Sequence, residues 1–169
     1  MSDAYAWMEG VNMQRTVDVG GCIVSNDIRD SLITYALGSC VAITIYSRER
    51  KILGMAHAVL PTSIINPDHS IIMPGYYVDT AFEKLKSYFL NEIMYNKGSL
   101  SIKLFGGSKS VFGDDFFNVG NKNLEAIKSI LEAHGLKYDS RDTGSCISRT
   151  VEMFVADGRV KLTEYPLST

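Results

Sequence analysis

Two apolar runs, Val41 to Tyr46 and Ile52 to Leu60, flank a charged turn, Arg48-Glu49-Arg50-Lys51. Short continuous runs of this kind predict strands buried on both faces, here a hairpin ended by Pro61. Upstream, Val17, Val19, Cys22 and Val24 around Gly20-Gly21 predict a first strand from Thr16 to Val24 with a bulge, and Leu32 to Ala36 a second strand. Downstream the period lengthens. Val78, Ala81, Phe82, Leu85, Phe89 and Ile93 recur at helical spacing, with Lys84, Lys86 and Glu92 on other faces, which predicts one amphipathic helix. Leu100 to Phe105 alternates as a strand and stops at Gly106-Gly107. A second helix is expected from a cap at Asn121, with Leu124, Ile127, Ile130 and Leu131 inward and Gly135 closing it. Thr150 to Val155 and Arg159 to Tyr165 then form a hairpin about Asp157-Gly158.

Residues 61–77 hold three of the four prolines and read as a long surface loop, a type of segment that often binds ligands or serves as a lid. The first fifteen or so residues show no period and read as a loose N-terminal arm (1–15), with 16–169 as one domain. About seven strands joined mostly as hairpins, with at least two helices, predict an α+β fold: a layered β-sandwich of mostly antiparallel strands flanked by helices.

Composition narrows the function classes. With 17 Lys plus Arg against 19 Asp plus Glu, the formal charge of −2 gives no general attraction to nucleic acid or an anionic membrane. The longest uncharged stretch, Leu32 to Tyr46, is short for a membrane span, so no membrane insertion is expected. Cys22, Cys40 and Cys146 are odd in number, widely spaced and free of any CxxC pair. The polar, acidic N-terminus has no secretory character, which points to a reducing cytoplasm.

The chemistry-bearing pair is Cys40, ending Leu37-Gly38-Ser39-Cys40, and His57, ending Gly54-Met55-Ala56-His57. A hairpin turn centred between Arg48 and Glu49 sets Cys40 opposite His57. A turn centred on Glu49 and Arg50 sets His57 opposite Ala42, still on the Cys40 face and within diagonal reach. An imidazole that close can take the thiol proton, and the ion pair so formed lowers a cysteine pKa from about 8.5 to between about 3.5 and 7.5. The plainer alternative is a buried thiol and a satisfied core histidine. Gly38 permits a turn that would present the N–H of Cys40, and of Ser39, to a developing oxyanion. His69 and His134 lack metal-ligand spacing, and no metal or other cofactor is expected. Gly106-Gly107-Ser108-Lys109-Ser110 lacks the first glycine of a phosphate loop.

Several motifs in order resemble the CheD family of chemoreceptor glutamine deamidases: Leu37-Gly38-Ser39-Cys40-Val41-Ala42, Gly54-Met55-Ala56-His57 with Leu60-Pro61, Tyr77-Val78-Asp79-Thr80-Ala81, Gly106-Gly107, Asn118-Val119-Gly120 with Asn123, and Asp142-Thr143-Gly144 with Arg149. The resemblance spans roughly residues 17 to 160. It implies a Cys-His-Thr triad of Cys40, His57 and Thr34 on a layout related to bacterial toxin deamidases. The implied reaction converts receptor glutamines to glutamates through a Cys thioester, with methylesterase action as a side reaction. The partners it implies are the cytoplasmic domains of methyl-accepting chemoreceptors and a CheC-type phosphatase acting on CheY phosphate. A non-catalytic module regulating that phosphatase is the alternative. Tyr76 and Tyr77, in the 61–77 segment, are the expected substrate contacts. Lys122 and Ser145-Cys146-Ile147 depart from the family pattern, which bears on partner preference more than on chemistry.

Overall fold

In the computed structural model, residues 12–110 and 117–167 are described. Nine strands lie among them: β1 (Met13–Thr16), β2 (Cys22–Ser25), β3 (Asp30–Leu37), β4 (Val41–Ser47), β5 (Ile52–Ala58), β6 (Leu100–Gly106), β7 (Asp139–Thr143), β8 (Ile147–Phe154) and β9 (Val160–Pro166). They form a four-stranded sheet, β1-β3-β8-β9, and a five-stranded sheet, β2-β5-β4-β6-β7. All pairings are antiparallel except β1–β3 and β6–β7. The α+β sandwich is therefore as the pattern predicts.

Parity along the central hairpin explains the layering. Leu53 and Met55 of β5 and Ala42 of β4 face the other sheet, meeting Leu32, Leu37, Val151 and Met153. Val41, Ile43, Ala56 and Ala58 face the opposite way, under helices α2 (Val78–Lys86), α3 (Leu90–Tyr95) and α4 (Val119–Ala133), whose Phe82, Leu85, Ile93, Ile127 and Leu131, with Phe89 between α2 and α3, close the second core. Strands covered on both sides have no solvent face, hence the unbroken hydrophobic runs.

Four expectations need correction. The single strand expected over 16–24 is two strands in different sheets. The chain leaves β1 at Val17, turns at Asp18 to Gly21, whose N–H bonds the Asp18 carbonyl (2.7 Å), and enters β2. Met13 to Arg15, assigned to the loose arm, belong to β1; residues 1–11 of that arm, Trp7 included, lie outside the described residues. The helix read from Val78 to Ile93 breaks after Lys86, where the backbone turns through Tyr88 N–H to Leu85 O (3.0 Å) and Phe89 N–H to Lys86 O (3.0 Å), and the Tyr88 carbonyl accepts from Arg50 Nη2 (2.8 Å). Helix α4 starts at Val119, two residues before the expected cap, and Asn121 spends its amide on Glu125 (2.8 Å).

Residues 61–77 are not structureless either. They fold into a 3-10 turn (Ser63–Ile65), a short helix α1 (Pro67–Ile72) and a second 3-10 turn (Pro74–Tyr76). Asp79 holds the segment's start through the Ser63 N–H (3.0 Å) and the Thr62 hydroxyl (3.1 Å).

Between the sheets, the buried Tyr46 of β4 donates its hydroxyl to the Val155 carbonyl beyond β8 (3.0 Å). Tyr46→Phe leaves that buried acceptor unpaired and is expected to lower unfolding free energy by about 1–3 kcal/mol in urea titration, with an unchanged m-value.

Candidate active site

The hairpin adopts the second of the two registers: Ala42 pairs with His57. Cys40, two residues before Ala42, therefore stands diagonal to His57 on the same, inter-sheet face, not directly opposite it. The Cys40 side chain packs against the inter-sheet core and is half-buried.

His57 is only 1% exposed and is gripped from all sides. Its N–H donates to the Gly21 carbonyl (3.0 Å) and its carbonyl accepts from the Gly20 N–H (2.9 Å), both from the turn before β2. Its Nδ1 lies 2.8 Å from the hydroxyl of Thr34, a fully buried residue of β3 in the facing sheet. That same hydroxyl lies 2.7 Å from the Val17 carbonyl. A threonine hydroxyl has one proton and a carbonyl can only accept, so the proton goes to Val17 and the hydroxyl must accept from Nδ1–H. The donor count thus assigns the tautomer: Nδ1 carries the proton and Nε2 keeps its lone pair. Nε2 is buried and makes no hydrogen bond. Nε2 and the Cys40 thiol share the inter-sheet face at diagonal register, with no hydrogen bond between them, and a ring nitrogen with a free lone pair is what a general base requires.

The turn before β4 is held by its carbonyls. Gly38 O accepts from the Ser108 N–H (2.9 Å), Cys40 O from the Gly107 N–H (2.8 Å), and Ser39 O from Asn123 Nδ2 (3.0 Å). With all three carbonyls engaged, the N–H groups of Ser39 and Cys40 have no backbone partner among the described residues, and the Cys40 N–H stands beside its own sulfur. The glycine this turn needs is not Gly38, which has ordinary backbone angles and open space where a Cβ would go. It is Gly106 (φ +91°), where a Cβ would stand 2.2 Å from the Cys40 carbonyl oxygen.

Asn123 and Arg149 matter more than their sequence positions suggested. Asn123, fully buried on α4, bonds both Ser39 O and Val59 O (2.9 Å), so one amide ties the backbone beside Cys40 to the backbone two residues past His57. Buried Arg149 donates to Ser108 Oγ (3.2 Å) and the Gly144 carbonyl (3.0 Å), bracing the turn that receives Gly38. A pocket of about 310 Å³, lined by Ser39, Ser108, Lys109, Phe117, Val119 and Leu167 among others, opens beside the exposed Ser39.

Tyr77 departs from its expected role. It is 2% exposed, its hydroxyl bonds His69 Nδ1 (3.1 Å), and it is therefore a packing residue out of a substrate's reach. Tyr76 is half-buried, stacks edge-on against His69 and Tyr77, and gives its carbonyl to the N–H groups of Val59 and Leu60. The large apolar groups this segment does present are Ile64, Ile65, Ile71 and Ile72. His134 Nδ1 turns to the Ile130 carbonyl within α4. Cys22 is half-buried, with burial pushing its thiol up to about 11, while Cys146 is exposed. Of the departures, Ser145 accepts the Lys109 N–H (2.8 Å) and Lys122 is exposed.

A model of the family described as "CheD chemotactic sensory transduction" matches residues 59–164, more than half the chain. The chain belongs to the CheD family. A CheD of Syntrophotalea carbinolica, named as a probable chemoreceptor glutamine deamidase, is 38% identical over 130 residues, covering 76% of this chain and 80% of that one. One from Methanococcus maripaludis, with the same name, is 40% identical over 126 residues, covering 73% and 79%. Among solved structures, Bacillus licheniformis hypothetical protein YfiH aligns over 80% of this chain and 60% of its own chain at 9% identity and a TM-score of 0.40, too distant to bear on function.

Electrostatics correct the expected ion pair. Burial pushes the Cys40 thiol up, only partly offset by its own N–H, and burial pushes His57 down to about 4 against a smaller opposing pull from Asp18. Both shifts favour the neutral forms, so at pH 7 the resting pair is thiol and imidazole. In a chain with Cys22 and Cys146 replaced by serine, Cys40 alkylation by iodoacetamide is expected to rise with pH from 7 to 9 with no plateau near pH 6. A plateau there would restore the ion pair. Histidine in an unfolded chain titrates near 6.5 and His57 in the fold near 4, so the unfolded state takes up the proton first. Stability is full above about pH 6.5 and falls by up to about 3 kcal/mol as pH drops towards 4. His57→Gln is expected to flatten that slope in urea titrations across the range.

Proposed function

We propose that this protein deamidates specific glutamines of chemoreceptor cytoplasmic domains, with Cys40 as nucleophile, His57 as general base and acid, and Thr34 as the group that fixes the imidazole. One observation carries the reading: a buried imidazole, tied through Nδ1 to Thr34, keeps a bare Nε2 on the face of the half-buried Cys40 thiol. The names of the relatives support the substrate class.

Because the resting pair is neutral, proton transfer accompanies attack. The Cys40 sulfur bonds to the carboxamide carbon as its proton passes to His57 Nε2, and the carbonyl electrons move to oxygen, which the N–H groups of Ser39 and Cys40 receive. The imidazolium then gives the Nε2 proton to the departing nitrogen, which leaves as ammonia, and a thioester remains. Water attacks the thioester while His57 takes its proton, the C–S bond breaks, and the proton returns to sulfur. The net change is glutamine plus water to glutamate plus ammonia. A glutamyl methyl ester entering the same path would release methanol. The receptor's cytoplasmic domain sets the place of action, and among the described residues no helix is long and apolar enough to cross a membrane.

The test is incubation with receptor cytoplasmic fragments and mass spectrometry of their glutamine peptides. Glutamate should appear with the wild type and not with Cys40→Ala, and His57→Gln should lower kcat/KM by about 100- to 10,000-fold. Deamidation that survives Cys40→Ala overturns the reading. Retained binding of a CheC-type phosphatase by Cys40→Ala would show a regulatory role separable from catalysis.

A further inference from the structure

The Thr34 hydroxyl can serve His57 only while something else takes its proton, and that acceptor comes from outside the triad. Val17 follows β1 directly. Its side chain is 1% exposed within the inter-sheet core, its N–H donates to Ile33 O (2.7 Å), and its carbonyl receives Thr34 Oγ1 (2.7 Å). β1 itself is an edge strand whose four residues are all exposed. It is held in parallel register with β3, from Met13 opposite Asp30 to Thr16 opposite Ile33. Two polar ties fasten it: Arg15 Nε to the buried Asp30 (2.7 Å), and Gln14 Nε2 to Glu152 (2.9 Å).

We propose that the main-chain carbonyl of Val17 is a positioning group of the active site, and that the docking of β1 sets which nitrogen of His57 is the base. With β1 docked, the carbonyl takes the Thr34 proton, the hydroxyl accepts from Nδ1–H, and Nε2 is free for the Cys40 proton. With β1 released, the hydroxyl's proton is free to turn to Nδ1. The ring then carries its proton on Nε2, where it cannot accept one from sulfur. The influence of β1 on the site passes through one backbone carbonyl and one hydroxyl. The segment's exposed, edge-strand character makes it the low-stability end of the sheet, from which switching elements are drawn.

The inference rests on the catalytic reading above, but its test needs no substrate. The ring nitrogens of His57 are followed by proton–nitrogen correlation spectra of the full chain labelled in histidine, assigned with His57→Gln. Gln14→Glu and Arg15→Glu each set a carboxylate against the carboxylate that now holds β1, and are compared singly and together. The wild type should show Nδ1 protonated at pH 7. Across the series the Nε2–H fraction should rise in step with the exchange rate of the Val17 amide, and kcat for deamidation should fall about 10-fold in the double variant with KM little changed. A wild type in the Nε2–H form, or amide exchange that quickens while the ring signals stay fixed, overturns the proposal. If deamidation proves absent altogether, the spectra still decide the tautomer question. If deamidation depends on Cys40 yet ignores the series, only the role of Val17 falls.

Discussion

One hydrogen bond joins the two sheets at the candidate site: His57 Nδ1–H of the five-stranded sheet donates to the Thr34 hydroxyl of the four-stranded sheet (2.8 Å). Everything else at the site is arranged about it. The inter-sheet core, from Leu32 and Leu37 on one side to Leu53 and Met55 on the other, sets the spacing at which a short polar group can reach across. Because the interior is close-packed, that spacing is stiff, and a ring so held has few alternatives to the observed orientation.

The Cys40 side is built on the opposite logic. No regular ladder reaches Cys40, which precedes β4. Its turn is held by three carbonyl bonds drawn from three places: the Gly107 and Ser108 backbone, and the Asn123 side chain. The turn is fixed through its acceptors, and among the described residues the Ser39 and Cys40 N–H groups have no backbone partner. The cost is visible in Asn123, whose Oδ1 is buried without a partner, a loss of about 1–3 kcal/mol tolerated where two carbonyls need the amide.

Burial of both reacting groups sets the resting protonation. A thiol pushed up and an imidazole pushed down both favour their neutral forms. Such a site is sparing with stray electrophiles, and Cys40 is protected by the absence of charge as much as by its surroundings.

The chain's own pattern determined the strands of the central hairpin, the parity that puts Cys40 and His57 on one face, the β8–β9 hairpin and the α+β class, because period-two alternation and turn chemistry are local. It left open two registers two residues apart, and the tertiary structure adopts the one with Ala42 opposite His57. β7, short and polar as Asp-Ser-Arg-Asp-Thr, carries no hydrophobic period and exists because β6 offers it an edge. Thr34 reads as an ordinary β-branched strand residue until the facing sheet brings His57 to it. Gly38 looked like the necessary glycine, and Gly106 proved to be it, since close approach between segments distant in sequence cannot be read from either one. The contact of Val17 with Thr34 is made by its carbonyl, a group every residue possesses, so only the tertiary structure, by placing that oxygen at the Thr34 hydroxyl, could reveal it.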